Sequence, residues 1–257
     1  MDFHWNAAYY NQHSQFQYAH AEEALSSYAF QSSEHVLDIG CGDGKITYTI
    51  ASQVPEGTVI GIDSSESMIQ YATNKYNDCP NLFFRVSDAE KIDYHHQFDL
   101  IVSFACLHWV RDQLAFLIGA KNALKADGRM ILDLYPKHPL IWGAIEDTVH
   151  HKKWSKYFVD YSNPHISYDL PTYESLAKES GLNIISIKEQ IPTAKFTSRE
   201  HAEAFVRSWL PHTEQLSPPL KASFISDIFE RFLETAPSCD DNHIGIPFRR
   251  LDVILQK

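Results

Sequence analysis

Four β-favouring runs in this chain each end in residues whose chemistry suits one part of a nucleoside-bearing ligand. Val36-Leu37-Asp38-Ile39 runs into Gly40, Gly42 and Gly44. Glycine adopts positive φ and, lacking a Cβ, lets a ligand press on the backbone. A glycine turn opening onto a helix N-terminus is where α/β nucleotide folds hold their ligand. Asp63 ends Thr58-Val59-Ile60-Gly61-Ile62. A carboxylate there can accept both hydroxyls of a ribose in a bidentate hydrogen bond. Asp88-Ala89 follows Leu82–Val86. Asp88 can accept from an adenine amino group while Ala89 donates its backbone N–H. His108-Trp109 follows Phe98–Phe104 and offers an imidazole and an indole N–H.

These residues need strands that deliver them to one end of a sheet. The apolar patterning predicts strands over 35–39, 58–62, 82–86, 98–104 and 129–134. Helices alternate with them. One follows Gly44 to about Gln53. One is capped by Ser64 or Ser65 and carries Met68, Ile69, Tyr71 and Ala72. A third runs from Asp112 through Leu124 and stops at Asp127-Gly128. That alternation is the signature of a parallel sheet covered on both faces. A helix near 172–181, a strand near 183–190 and a final strand over 250–256 return to the same pattern. Residues 1–34 read as an N-terminal helical cap, with one helix over roughly 15–30, and 35–136 as the ligand-binding core. Residues 137–257 carry the rest of the sheet, with lid insertions at 137–170 and 198–236. In the second insertion two helices flank Pro211. His201, Phe205 and Trp209 share a face of the first, and Phe224, Ile228, Phe232 and Leu233 a face of the second.

Composition narrows the function. The chain has 257 residues and a net charge of -11, and its 22 Lys and Arg form no cluster. Phosphate contacts need clustered cations, so a nucleic-acid partner is not expected. Cys41, Cys79, Cys106 and Cys239 show no paired spacing, which reads as reduced thiols in a cytoplasmic protein. The first 18 residues lack the apolar core of a signal peptide, and no apolar run reaches membrane-spanning length. His95-His96 and His150-His151 lack ligand-spaced partners, so no metal is expected. Cys41 reads as structural, Tyr135 as a possible pocket residue, and Arg249-Arg250 as a solvated pair.

The glycine spacing separates two ligand classes. The dinucleotide fingerprint has its third glycine three residues after the second. Here the run is Asp38-x-Gly40-x-Gly42-x-Gly44. It resembles the first motif of class I S-adenosylmethionine-dependent methyltransferases, with Asp43 and Lys45 where smaller residues are common. Gly61-Ile62-Asp63-Ser64-Ser65-Glu66-Ser67-Met68 resembles their second motif, Ser87-Asp88-Ala89 the third and Asp99–Ser103 the fourth. Within that superfamily, Phe104-Ala105-Cys106-Leu107-His108-Trp109-Val110 and Trp5-Asn6-Ala7-Ala8-Tyr9-Tyr10 are similar to the trans-aconitate and juvenile hormone acid methyltransferase group. The resemblance implies a doubly wound, seven-stranded, mostly parallel Rossmann-like sheet with a helical lid. It implies S-adenosyl-L-methionine as cofactor, held by Asp38, Gly40, Cys41, Gly42, Gly44, Asp63, Ser64, Met68, Asp88, Ala89 and Phe104. It also implies a small-molecule acceptor, a carboxylic acid first of all.

A carboxylate is ionised at neutral pH, so its methylation needs no general base. Alignment and exclusion of water then do the catalysis. On the resemblance, Gln17 (or Gln15 or Gln12) and His108 hold the carboxylate, and Trp109 donates its N–H or walls the pocket. A hydroxyl, amine or carbon acceptor is the alternative, with His108 as base. A non-catalytic cofactor-binding partner is a third reading. The chain is expected to act as a monomer or homodimer.

Overall fold

The computed structural model describes residues 5–236 and 243–257. Cys239 therefore lies outside the described residues, as do the first four positions of the expected cap. The chain forms two compact units. One comprises Trp5–Pro136, Ile166–Gln190 and Arg250–Lys257, and the other Lys137–His165 and Ile191–Arg249.

The first unit carries the sheet. Its strands are β1 (His35–Ile39), β2 (Thr58–Asp63), β3 (Leu82–Val86), β4 (Phe98–Ser103), β5 (Leu124–Leu134), β6 (Asn183–Gln190) and β9 (Arg250–Gln256). Their order is β3-β2-β1-β4-β5-β9-β6. β9 pairs antiparallel with both β5 and β6, so it is the one reversed strand of a doubly wound, otherwise parallel sheet. Alternation along the strands buries both faces. Leu37, Ile39, Ile101 and Leu132 join one apolar cluster. Val36, Val59, Leu100, Val102 and Ile131 join the other. Each such side chain contributes about 1.5–3 kcal/mol by leaving water.

The helices of this unit are α1 (Ala7–His13), α2 (Gln15–Ser26), α3 (Lys45–Gln53), α4 (Glu66–Lys75), α5 (Gln113–Ala123) and α7 (Leu170–Glu179). Ser65 caps α4 and Asp112 caps α5, each accepting the backbone N–H three residues on. The second unit holds α6 (Pro139–His150), α8 (Arg199–Trp209), α9 (Pro218–Thr235) and a two-stranded antiparallel sheet, β7 (Thr193–Phe196) with β8 (Ile244–Pro247).

The structure sharpens the local expectations. α2 fills the helix expected over roughly 15–30, and α1 precedes it, the two broken at Ser14. β5 begins at Leu124 and runs through Asp127-Gly128, because the chain leaves α5 directly into pairing with Phe98. β7 and β8 are too short for periodicity to reveal. Ile166 donates its N–H to the carbonyl of His108 within the sheet unit. On α8, Phe205 and Trp209 are buried while His201 is exposed, so His201 does not share their packed face.

Candidate active site

β1 delivers the glycine turn to the end of the sheet where β2, β3, β4 and β5 also finish. The N–H groups of Gly40 and Cys41 both donate to the carbonyl of Ile62, tying the turn to β2. Gly40, Gly42 and Gly44 all have positive φ, at 73°, 52° and 77°. They serve different ends. A Cβ on Gly40 would lie 2.2 Å from Cys106 Sγ, so this glycine lets the loop after β4 lock against the turn. A Cβ on Gly44 would lie 2.7 Å from Phe84 and 2.8 Å from Ala72, which is packing beneath the turn. A Cβ on Gly42 would have only Tyr10 Cε1 within reach, at 4.0 Å, so its face is the one open to a ligand.

A narrow cavity of about 90 Å³ opens there, lined by Trp5, Tyr10, Gly40, Gly42, Asp63, Ser64, Met68, Phe104, Ala105, Cys106 and Trp109. Asp63 stands at its edge. Oδ2 accepts the Gly42 N–H at 3.0 Å and Oδ1 that of Ser65 at 2.8 Å. Burial raises its carboxyl above the ordinary value, against the pull of those two N–H groups. Met68 is buried behind it.

The sequence-derived site residues thus divide. Gly40, Gly42, Asp63, Ser64, Met68, Phe104 and Trp109 line the cavity. Asp38, Cys41, Gly44, Asp88, Ala89, His108 and Gln17 do not line it. Asp38 is buried in β1 and accepts from Thr47 Oγ1 at 2.7 Å. Burial lifts it to about 7, with Asp63 and Asp43 adding to the shift and the Thr47 bond opposing it. Cys41 is buried, and a Cβ on Gly61 would meet its Sγ at 2.9 Å. Burial pushes its thiol well up, which fits the structural reading. Asp88 caps the single turn Ala89–Lys91 and is 3.4 Å from Lys91 Nζ. Gln17, on α2, has its Oε1 buried without a hydrogen-bond partner, while Gln12 and Gln15 are exposed.

His108 is 6% exposed, and its Nδ1 accepts the Tyr135 N–H at 3.3 Å. With Nδ1 accepting, a neutral imidazole carries its proton on Nε2. In that tautomer Nδ1 is not available to take a proton. Its ring lies 4.8 Å from Trp109 and 5.8 Å from Tyr135. Tyr135 continues to the cap, its hydroxyl 2.9 Å from His20 Nδ1. Burial and the nearby Arg250 cation hold His20 down at about 4, so the ring that meets the phenol is neutral. Arg250 is 3% exposed and pairs with Glu23 and Asp252. This corrects the expectation of a solvated arginine pair. A short apolar strand start gives no hint of a partner more than two hundred positions away.

Sequence reasoning missed four lining residues. Ala105, at φ 51°, turns the chain after β4, and its N–H donates to Asp133. Burial raises Asp133 to about 7, with Arg250 and the Ala105 bond opposing. Cys106 follows Ala105, and burial pushes its thiol up. Trp5 and Tyr10 come from the cap. Trp5 lies edge-on to Tyr10 at 5.5 Å and to Trp109 at 5.9 Å, and its carbonyl accepts from Ser67. Burial, then Asp43, Asp133 and Asp63, raises the Tyr10 phenol, so it stays protonated. The aromatic richness of the first residues was the available signal. Among the described residues no group of His, Cys, Asp and Glu could hold a metal ion, and no helix is long and apolar enough to cross a membrane.

Comparison with known proteins meets this geometry. Residues 30–189 match the model of a methyltransferase domain family. Protein 235L of Invertebrate iridescent virus 6, named as a methyltransferase of no stated substrate, is 31% identical over 228 residues, covering 89% of this chain and 85% of that one. Juvenile hormone acid O-methyltransferase of Bombyx mori is 35% identical over 126 residues, covering 47% of this chain and 45% of that one. The YcgJ protein of Bacillus subtilis has the same fold, with a TM-score of 0.65 at 16% identity over 93% of this chain and 98% of that one. The chain belongs to the methyltransferase-domain family, as a class I S-adenosylmethionine-dependent methyltransferase.

Proposed function

We propose that this methyltransferase esterifies a small-molecule carboxylic acid. The observation that carries the reading is the state of the polar groups around the cavity. The Tyr10 phenol and the Cys106 thiol are both raised by burial and stay protonated. Asp63 holds two backbone N–H groups, and His108 offers a donor. None of these is set to take a proton from an acceptor. A carboxylate needs none taken. The Bombyx mori relative, named for O-methylation of an acid, supports the same class across half of the chain.

S-adenosylmethionine, when bound, supplies an electrophilic methyl group on a sulfonium, beside an amino group that is also cationic. The residues present fit such a ligand. Gly42 leaves its face open, and Asp63 has lone pairs left for ribose hydroxyls. Burial, with Asp63 and Asp43 adding to it, raises the proton affinity of Asp38, a strain that a nearby cation relieves. Ser64, Met68 and Phe104 wall the ligand, and Asp88 with Ala89 stands at the neighbouring strand end for the adenine edge. Ligand pockets usually exceed about 300 Å³. Trp5 and Tyr10, which narrow the cavity from the cap side, stand where they would shield a bound ligand from water. His108 Nε2–H and the Gln17 amide orient the acceptor oxygen, and Trp109 limits its approach to the line of displacement.

Asp133 gives one specific reason to keep a second reading. A carboxylate titrating at about 7 is a competent base, and a hydroxyl or amine acceptor would use one. The deciding experiment supplies methyl-labelled S-adenosylmethionine with panels of carboxylic acids, phenols and amines. Label released as methanol by mild alkali marks a methyl ester and supports the carboxylate reading. Alkali-stable label on phenols or amines overturns it in favour of the second. Binding of the donor without turnover on any panel points to a non-catalytic partner protein.

A further inference from the structure

The first helix of the cap is held to the sheet unit by polar bonds more than by burial. α1 has seven residues, of which only Ala7 is buried. A helix so short does not persist in water on its own. Its anchor is the half-buried Asn11, whose Nδ2 donates to Oδ2 of Asp43 in the glycine turn. Asp43 is 6% exposed, and its Oδ1 accepts the Lys45 N–H at 3.2 Å. One carboxylate oxygen therefore serves the start of α3 and the other serves the cap. Hydrogen bonds to a carboxylate are among the stronger kinds.

The neighbouring pair follows the same register. A Cβ on Gly42 would have Tyr10 Cε1 within reach at 4.0 Å. Consecutive turn residues, Gly42 and Asp43, thus meet consecutive residues of α1, Tyr10 and Asn11. Neighbouring helix positions differ by about 100° around the axis. Fixing Asn11 on Asp43 therefore fixes the direction in which Tyr10 points, and Tyr10 and Gly42 both line the donor cavity. A second contact holds α2. Lys45 Nζ sits 3.7 Å from the centroid of the Tyr18 ring, and the Tyr18 hydroxyl lies 3.2 Å from Thr49 Oγ1 on α3. Asp43 and Lys45 are the two positions where smaller residues are common in the motif this turn resembles. In this chain each of them reaches a helix of the cap.

We propose that Asn11 and Asp43 are a positioning pair for the donor: they register the cap on the glycine turn, with Lys45 and Tyr18 in support, and act on donor affinity through the placement of Tyr10. The inference rests on the donor cavity and is independent of which acceptor is methylated. The bland alternative is a surface tether that stabilises the chain and leaves the donor untouched.

The test is calorimetry of the full chain with S-adenosylhomocysteine, joined to hydrogen exchange. Asn11→Ala should bind roughly tenfold more weakly, as expected for the loss of one bond to a charged group. Its exchange should quicken over residues 7–13 and stay unchanged in β1 and β4. Tyr10→Ala should also weaken binding, and adding Asn11→Ala to it should cost little more, because no ring remains to be placed. Asp43→Asn, which can still bond a turned Asn11 amide, should bind more tightly than Asp43→Ala. The proposal is overturned if Asn11→Ala binds as tightly as the wild type or more so, or if its loss adds in full to that of Tyr10→Ala. Exchange that quickens throughout the sheet in Asn11→Ala would overturn it in favour of the tether. Equal weakening in Asp43→Asn and Asp43→Ala beside an unaffected Asn11→Ala would overturn it in favour of a direct bond from Asp43 to the donor. A wild type that holds no S-adenosylhomocysteine would overturn the donor cavity itself, and the pair with it.

Discussion

Asp63 Oδ2 accepts the backbone N–H of Gly42 at 3.0 Å, so the residue that ends β2 also sets the turn that follows β1. Two strand ends are thereby fixed to each other at the point where the cavity opens. The same carboxylate is the expected ribose ligand, which makes its two roles separable by experiment. Asp63→Ala removes charge-assisted bonds worth about 1.5–3 kcal/mol each. S-adenosylmethionine affinity should fall by roughly 10- to 150-fold, with a lower melting temperature. Titration calorimetry and a thermal scan check this. A lower melting temperature with unchanged affinity would leave Asp63 as a turn residue only.

Gly40 and Gly42 predict opposite phenotypes for the same substitution. A Cβ at Gly40 would overlap the Cys106 side chain at 2.2 Å, so Gly40→Ala should fold poorly. Removing the obstacle with Cys106→Gly should restore part of the loss. The left-handed backbone would still cost about 1–2 kcal/mol. Gly42→Ala meets only Tyr10 at 4.0 Å, so it should fold with just that backbone strain. Its new methyl group would enter the ligand's space, and cofactor affinity should drop more than tenfold. Equal loss of folding in both variants would refute this division.

The parallel core was legible because each strand is an apolar run ending in a polar or glycine signal, and each helix has its own cap, as at Ser65 and Asp112. The glycine turn and Asp63 were legible by spacing. What escaped was long-range. Trp5 and Tyr10 reach the cavity through the tertiary course of the cap, and Arg250 meets Glu23 from the other end of the chain. His108 was singled out by type and position, but only its bond to the Tyr135 N–H shows which nitrogen carries the proton. β7 and β8, four residues each, are shorter than the window in which alternation can be seen.

Two groups shifted by burial, Asp133 and the half-buried His20, should pull stability in opposite directions with pH. Asp133 keeps its proton up to about 7 when folded, whereas the unfolded chain loses it near 4. Between those values the native state binds more protons, so this group's contribution to stability falls as pH rises. His20 is held neutral down to about 4, whereas an unfolded histidine protonates near 6.5. Its contribution is complete above about 6.5 and is lost as pH falls toward 4. Asp133→Asn keeps an oxygen for the Ala105 N–H and removes the charge. Its melting temperature relative to wild type should become steadily more favourable across the same window, from about 4 to 7. A difference that stays flat with pH would refute the shift. His20→Asn should flatten the acid-side loss instead.

His108 and Trp109 carry the prediction closest to the chemistry. If His108 acts as an Nε2–H donor, His108→Asn keeps an acceptor for the Tyr135 N–H and removes the donor. Losing one preorganised donor to the developing transition state costs about 2.7–4 kcal/mol in kcat, on the order of 10²- to 10³-fold. S-adenosylhomocysteine affinity should stay near wild type, because His108 does not line the donor cavity. Trp109→Ala should lower kcat more than it weakens cofactor binding, even though Trp109 lines that cavity beside Trp5. The pH profile separates donor from base. A carboxylate acceptor with a donating His108 gives a kcat/KM that does not rise with an ionisation near 6.5, the ordinary histidine value. A rising limb there that vanishes in His108→Asn would make His108 the base, and would move the acceptor to a hydroxyl or an amine.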